Sequence, residues 1–291
     1  MYPRLSDLFR DLLGISFPLP IYSFGFMVAL AIVTGAWLGG RELDRLYAKG
    51  EIDGVEVEGP NGTTKASPSA LVGTIVVIAA VAGIIGAKLF TILGNPGTFL
   101  LHPAEMLFSS GGLTFYGGFL VGGGAIAWYI RRHGLSAPHV ADAAAPALML
   151  SYGIGRLGCH LAGDGDWGIA ADVAAKPDWL PMWLWAETYP RAIIGPPEQP
   201  VYPTSLYELI AAVLLFGVLW ALRRHPFRAG WLASLYLVFN GVERFLIEKI
   251  RINPEYQVLG LTPTQAEIIS VLLIVAGAIG LVYTWEREGK E

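Results

Sequence analysis

An all-α integral membrane protein of seven transmembrane helices is the fold class this sequence predicts, and three observations carry the reading. Apolar residues make up 54% of the 291-residue chain and charged residues only 15%, where ordinary soluble domains carry about a quarter charged, and the mean hydropathy is +0.51. The charges gather between apolar runs of about 20 residues, the length that crosses a bilayer as a helix. Within each run apolarity is continuous, whereas barrel strands would alternate at every second residue.

The elements follow in order. The opening MYPRLSDLFRDLLGISFPLP has two acids, no long apolar core and no small-x-small cleavage site, so no removable signal peptide is expected and the first run is retained. That run is Ile21 to Gly40. Glu51 to Ser69, with its Gly, Pro, Asn and Thr, reads as a cytoplasmic loop or short hairpin. Ala70 to Leu93, Gly111 to Ile130 and Val140 to Leu161 come next, and their internal glycines (Gly83, Gly86, Gly122, Gly123, Gly124, Gly153, Gly155, Gly158) suit close helix packing in lipid. Ala162 to Thr204 is a long connection whose Trp179 to Tyr189 stretch has the aromatic density of an arm or lid resting at the membrane surface. Ser205 to Leu222, Ala229 to Ile247 and Ala266 to Trp285 complete the seven. No solenoid-type repeat is visible, and residues 1–291 read as a single polytopic domain.

Lys and Arg are retained on the cytoplasmic side of short loops. With the amino terminus outside, the inner set is Arg41, Arg45, Lys49, Lys65, Arg131, Arg132, Arg223, Arg224, Arg228, Arg287 and Lys290, against Arg4, Arg10, Lys176, Arg191, Lys249 and Arg251 outside. The expected orientation is therefore amino terminus out and carboxyl terminus in, with 162–204 outside. A net charge of -4 and a pI near 5.8 give no basic patch for nucleic acid. Cys159 is the only cysteine, which allows neither an internal disulfide nor a thiol-only metal site. No metal or other cofactor is expected.

Ionisable groups inside spans cost about 2.5–3.5 kcal/mol each on insertion scales and are functional candidates by default. Lys88 and Arg156 lie about five residues before the outer ends of their spans and Arg244 about three, within about 10 Å of the outer boundary at the helical rise. Glu208 enters the fifth span from that side, Glu243 and Glu248 lie at the outer end of the sixth, and Tyr116 stands near the outer end of the third. Cations and carboxylates at headgroup depth suggest a pocket for an anionic lipid, since Arg offers a planar fork for phosphate oxygens. Other readings stay open. Lys88 at a helix end also fits simple snorkelling, and Glu208, Glu243, Arg244, Glu248 and Arg251 also fit a structural ion-pair cluster holding two helix ends together. Asp164 and Asp166 also fit ordinary Asp-Gly turns. Arg156, among the glycines of YGIGRLGCHLAGDGDWG, is the strongest functional candidate, because small neighbours let a backbone or ligand approach closely. Cys159 and His160 are adjacent and point about 100° apart on a helix, so they do not form a nucleophile pair.

GRLGCHLAGDGDWG (Gly155 to Gly168), preceded by GGLTFYGG (Gly111 to Gly118) and followed by YPTSLYE (Tyr202 to Glu208) and GVERFLIEKIR (Gly241 to Arg251), resembles the prolipoprotein diacylglyceryl transferases of bacteria in order and spacing, over essentially the whole chain. The resemblance implies transfer of the diacylglyceryl group of phosphatidylglycerol to the lipobox cysteine of a prolipoprotein signal peptide. That reaction releases glycerol phosphate at the outer face of the bacterial cytoplasmic (inner) membrane and needs no metal or nucleotide. Arg156 and Arg244 match the family's two essential arginines: Arg156 for the lipid phosphate, Arg244 for the leaving phosphate or the incoming thiol. A positive field lowers a thiol pKa from near 8.5 and favours the attacking thiolate. Glu248 and Arg251 match the following acid and base and are expected to orient Arg244. With Lys88, Cys159, Asp164, Asp166, Gly168, Tyr207 and Glu208 they complete the expected substrate-binding set, Gly168 matching the family's closing glycine.

The chain departs from the family in four places. Tyr116 stands where the best-known members place His, and a phenol of pKa near 10 is a poor base at neutral pH, so Tyr116 is expected to donate a hydrogen bond rather than accept a proton. Cys159 replaces an Asn, the loop acid is displaced so that either Asp164 or Asp166 is its counterpart, and Phe24 stands for a tyrosine early in the first span. These departures motivate an alternative in which a paralogue binds phospholipid without transferring it. Transport would call for polar groups through the inner half of the bilayer, where only glycines and Asp142 stand out.

Overall fold

The computed structural model describes residues 2–15, 20–59, 62–109, 114–254, 256–257 and 262–286. The chain is mostly helical: α1 (Leu5–Leu13), α2 (Ser23–Ala48), a hairpin of β1 (Val55–Gly59) and β2 (Gly62–Ala66), a 3-10 turn (Pro68–Leu71), α3 (Val72–Gly94), α4 (Pro96–Leu101), α5 (Pro103–Phe108), α6 (Phe115–Arg132), α7 (Ala137–Ala162), α8 (Met182–Trp185), α9 (Thr204–Leu222), α10 (Trp231–Glu248) and α11 (Gln265–Tyr283). A long helix stands at each of the seven apolar runs. Four stretches, Ser23–Ala48, Pro68–Gly94, Thr204–Leu222 and Gln265–Thr284, are long and apolar enough to cross a membrane, and most of their residues are unburied within the protein. The helices α6, α7 and α10 are interrupted by glycines and by charged residues, Arg131 and Arg132 in α6, Asp142 and Arg156 in α7, and Glu243, Arg244 and Glu248 in α10. Residues 111–113 at the head of the third predicted run, and Arg287 and Lys290 of the inner cationic set, lie outside the described residues.

Two compact units divide the chain, Met1–Leu38 with Ala141–Glu291, and Gly39–Val140. In the second unit β1 and β2 pair antiparallel from Val55↔Ala66 to Gly59↔Gly62, the hairpin reading of that loop. There α3 packs on α6 through facing glycines. A Cβ on Gly86 would fall against the Gly117 carbonyl, and one on Gly117 against that of Gly86, so only glycine permits the approach.

In the first unit α1 is an amphipathic helix that the apolar-run scan passes over. Leu5, Leu8, Phe9, Leu12 and Leu13 recur at helical spacing, Leu12 and Leu13 are exposed, and Asp7, Arg10 and Asp11 carry the polar face. Gly14 closes the helix in the left-handed region at φ 69°. The core gathers Ala145 and Met149 of α7, Ala212 and Leu219 of α9, and Trp231 and Leu232 of α10. Asp142 of α7 caps the start of α10, accepting from the Gly230 and Ala233 amides at 2.7 Å each. Two of the orphan donors of that helix are met this way, which gives Asp142 a structural task. Ser151 Oγ donates to the Ala31 carbonyl at 2.8 Å, joining α7 to α2.

Candidate active site

The charged residues of α7, α9 and α10 meet in the first unit. Arg156 lies in the C-terminal part of α7 and Arg244 in that of α10, while Glu208 lies in the N-terminal part of α9, so three neighbouring helices deliver their charges to one level. The start of α9 is fixed by Pro203, whose missing amide hydrogen costs a helix start nothing. Thr204 Oγ1 donates to the Asp166 carbonyl at 2.9 Å, tying that start to the loop after α7.

Glu208 is the hub and is fully buried. Its carboxylate pairs with Arg156, accepts from Arg244 Nη1 at 3.2 Å and from the Tyr152 hydroxyl at 2.9 Å, and lies 3.6 Å from Arg251 Nη1. Asp166 bridges the other side, one oxygen pairing with Arg156 and the other with Arg251. Glu248 Oε2 meets Arg244 Nη2 at 2.7 Å, and Glu248 Oε1 accepts from Asn253 Nδ2 at 2.7 Å. Each of the three arginines thus has two carboxylates, and three cations balance three anions. Two capacities remain. Arg156 Nε and Arg251 Nη1 are buried donors without a hydrogen-bond partner among the described residues, and Arg244 is the most open of these three arginines, 24% exposed against 13% for Arg156 and 10% for Arg251. An anion arriving at the cluster meets Arg244 first.

The loop after α7 holds the remaining members. Burial works against charge on Asp166, but the Arg156 and Arg251 guanidinium groups outweigh it and hold its pKa below the usual carboxylate value. Asp164 differs: burial raises its pKa, and a hydrogen bond from Cys159 only partly offsets this. Asp164 Oδ1 accepts the Asp166 amide at 3.2 Å, an Asx turn. The two candidates for the loop acid therefore separate, Asp166 joining the arginines and Asp164 shaping the turn. Cys159 Sγ, Asp164 and Asp166 offer ligand atoms within 4.8 Å of one another. Both Asp166 oxygens already face guanidinium groups, so a metal ion taking either oxygen would compete with an arginine.

Gly168 packs where no side chain fits. Its amide donates to the Tyr202 carbonyl at 2.8 Å, it bridges to Arg251, and a Cβ would come within 2.5 Å of the Ile250 carbonyl and 2.9 Å of Thr204 Cγ2. Arg251 reaches Asp166 and Glu208 rather than Arg244, so of the pair expected to orient Arg244 only Glu248 touches it. Tyr207 does not enter the cluster; its hydroxyl donates to the Leu184 carbonyl at 2.8 Å and anchors the 162–204 segment. Within that segment Tyr189 is buried at φ 44°, its ring 4.9 Å from Trp167 and its hydroxyl 3.2 Å from His160 Nδ1. Cys159 Sγ lies 3.8 Å from Arg156 Nη1, so Cys159 and His160 face different partners. Lys88 and Tyr116 belong to the second unit. There Lys88 donates to the Ser109 carbonyl at 2.7 Å, to Ser109 Oγ at 2.9 Å and to the Met106 carbonyl at 3.2 Å, clipping the end of α5.

Sequence reasoning missed Tyr152, whose ring carries the Arg156 guanidinium 5.6 Å above it. The signal was available, because a tyrosine four residues before an arginine shares its helix face. Glu243 was placed with the ion pairs but makes none among the described residues. It is buried, and its Oε2 faces the Tyr152 hydroxyl at 3.4 Å.

Apolar helices of membrane-crossing length and a buried, charge-balanced cluster of arginines and carboxylates define a helical membrane protein with a polar centre. The sequence model of the prolipoprotein diacylglyceryl transferase family matches residues 11–283, and the chain belongs to that family. It is similar to the phosphatidylglycerol–prolipoprotein diacylglyceryl transferase of Leptospira interrogans, 28% identical over 99% of this chain and 96% of the relative. Similar proteins of the same name include that of Aliivibrio salmonicida, 31% identical over 92% of this chain and 82% of the relative. That of Methylibium petroleiphilum is 32% identical over 70% and 74%.

Proposed function

We propose that this protein transfers the diacylglyceryl group of phosphatidylglycerol to the lipobox cysteine of prolipoproteins. The observation that carries the reading is the Arg156–Arg244–Arg251 cluster around Glu208 and Asp166, in a chain that belongs to this family. In the reaction the cysteine sulfur bonds to the terminal glyceryl carbon, the bond from that carbon to the phosphate oxygen breaks, and glycerol phosphate leaves. The thiol proton passes to the leaving phosphate or to water. Arg156 holds the lipid phosphate. Arg244, the most open arginine, meets the charge that grows on the leaving oxygen, where fixed donors do the most catalytic work. Glu248 orients Arg244, and Asp166 and Arg251 brace Arg156. Cys159 and Asp164 border the lipid site, and Gly168 and Tyr207 hold the loop and segment that shape it.

All seven long helices cross the bilayer in this reading, with the amino terminus outside, the carboxyl terminus cytoplasmic and the cluster towards the outer leaflet of the inner membrane. Pairing supports it: Arg156 of α7 and Arg244 and Glu248 of α10 are matched by opposite charges, so they need not face lipid. The lipid enters sideways through an opening between helices, and 162–204 is an arm at the headgroup surface.

Purified protein in nanodiscs, given phosphatidylglycerol and a lipobox peptide, should add a diacylglyceryl mass to the peptide cysteine and release glycerol phosphate. Folded protein that binds phosphatidylglycerol yet yields no product would instead establish a phospholipid-binding paralogue.

A further inference from the structure

Glu243 stands apart from the balanced cluster. It is 8% exposed, its Oε1 has no hydrogen-bond partner among the described residues, and its Oε2 faces the Tyr152 hydroxyl. Tyr152 has a single hydroxyl hydrogen. The shorter contact, 2.9 Å to Glu208 Oε1 against 3.4 Å to Glu243 Oε2, gives that hydrogen to Glu208. What Tyr152 then offers Glu243 is an acceptor. A carboxylate there would be a buried charge with no donor, at a cost of several kcal/mol, whereas a carboxylic acid donates its O–H to the Tyr152 oxygen. Hydrogen counting leads from Glu243 through Tyr152 to the one carboxylate shared by all three arginines.

We propose that Glu243 is held as a neutral carboxylic acid and hands its proton through the Tyr152 hydroxyl to Glu208 when an anionic phosphodiester claims the arginines. The identity of the anion rests on the phosphatidylglycerol reading above; the relay rests on the geometry. The Glu243 proton moves to the Tyr152 oxygen as the tyrosine proton moves to Glu208, so Glu208 ends neutral, Glu243 ends ionised and no proton is drawn from solvent. The exchange answers a difficulty the cluster poses. Three arginines matched by three carboxylates have no net charge to offer a phosphate, and neutralising Glu208 frees one positive charge while moving the negative charge one tyrosine away. Tyr152 and Glu243 act through Glu208 and are positioning residues.

The test is infrared difference spectroscopy of the protein in nanodiscs with and without phosphatidylglycerol. The wild type should show a protonated-carboxyl C=O band that changes when the lipid is present, and Glu243→Gln should lose that band. Tyr152→Phe, which keeps every ion pair, should raise the apparent KM for phosphatidylglycerol about tenfold, equivalent to about 1.4 kcal/mol, with kcat little changed. A wild-type spectrum without a protonated carboxyl overturns the relay whether or not the variants fold. So does a lipid-induced band that persists in Glu243→Gln, or an unaltered KM in Tyr152→Phe. If the wild type binds phosphatidylglycerol and shows the band change but makes no thioether, the transferase reading fails and the relay stands.

Discussion

Glu208→Gln isolates the role of the hub, because it removes one charge while keeping shape and an acceptor oxygen. Glu208 is fully buried and faces Arg156, Arg244 and Arg251. Removing one partner of a buried ion pair costs about 3–5 kcal/mol. The lower end applies, because Arg156 and Arg251 keep Asp166 and Arg244 keeps Glu248, so about 3 kcal/mol is expected. At roughly 2–4 °C per kcal/mol for chains of this order of size, the midpoint of thermal unfolding should fall by roughly 6–12 °C. The assay is the unfolding of purified protein in nanodiscs, repeated for Arg244→Gln and for the double variant. The two substitutions touch one contact, so the double variant should lose less than the sum of the singles. Phosphatidylglycerol should still bind Glu208→Gln, whose arginines are no longer neutralised. An unfolding midpoint equal to that of the wild type, or strictly additive losses, would refute Glu208 as the centre of the cluster.

Arg156→Ala and Arg244→Ala should each lower transfer at least about 10²–10³-fold, the loss typical of a donor aimed at developing charge; inserted, folded variants that still transfer at the wild-type rate contradict the assignment. Gly168→Ala should cost about 1–3 kcal/mol of stability by overpacking and lower transfer by moving Arg251, since the new methyl meets the Ile250 carbonyl; unchanged stability and rate would exclude the close approach. The depressed pKa of Asp166 makes its stabilisation complete above about pH 5 and lost as pH falls through 3.8 and then through the lower folded-state value. An acid titration of Asp166→Asn should therefore differ in stability from the wild type at neutral pH and converge with it in strong acid; a gap that persists in strong acid would assign the loss to something other than charge.

The long helices were legible because lipid-length apolar runs leave an unmistakable mark, yet the runs measure hydropathy and not helix length. The first run ends at Gly40, while α2 continues to Ala48 through RELDRLYA, held by the Arg45–Glu42 pair at 2.7 Å and the buried Leu43 and Leu46. Conversely α1 and the short α4 and α5 escaped a window of bilayer length. In the site, the arginines and their carboxylates were legible because charge is conspicuous within apolar runs. Tyr152 was not, because tyrosine is unremarkable in a membrane helix until its hydroxyl is seen against Glu208. Nor can sequence distinguish Glu243 from Glu248, two acids five residues apart: only the packed helices decide which one meets an arginine.

The order in which the cluster's members leave the ribosome follows from their order in the chain. Arg156, Asp166, Glu208, Arg244, Glu248 and Arg251 emerge in that sequence, and the running charge of the growing site reads +1, 0, -1, 0, -1, 0. At no stage is more than one charge uncompensated, so the nascent chain never faces more than about one insertion penalty of 2.5–3.5 kcal/mol at a time. Arg156 waits only ten residues for Asp166, and at roughly 5–20 residues per second that is a delay of roughly 0.5–2 seconds. A permuted gene carrying residues 231–251 ahead of α7 and α9 would read +1, 0, +1, +2, +1, 0, leaving two arginines uncompensated together when Arg156 emerges, and its yield of inserted protein should fall even though the finished cluster is the same.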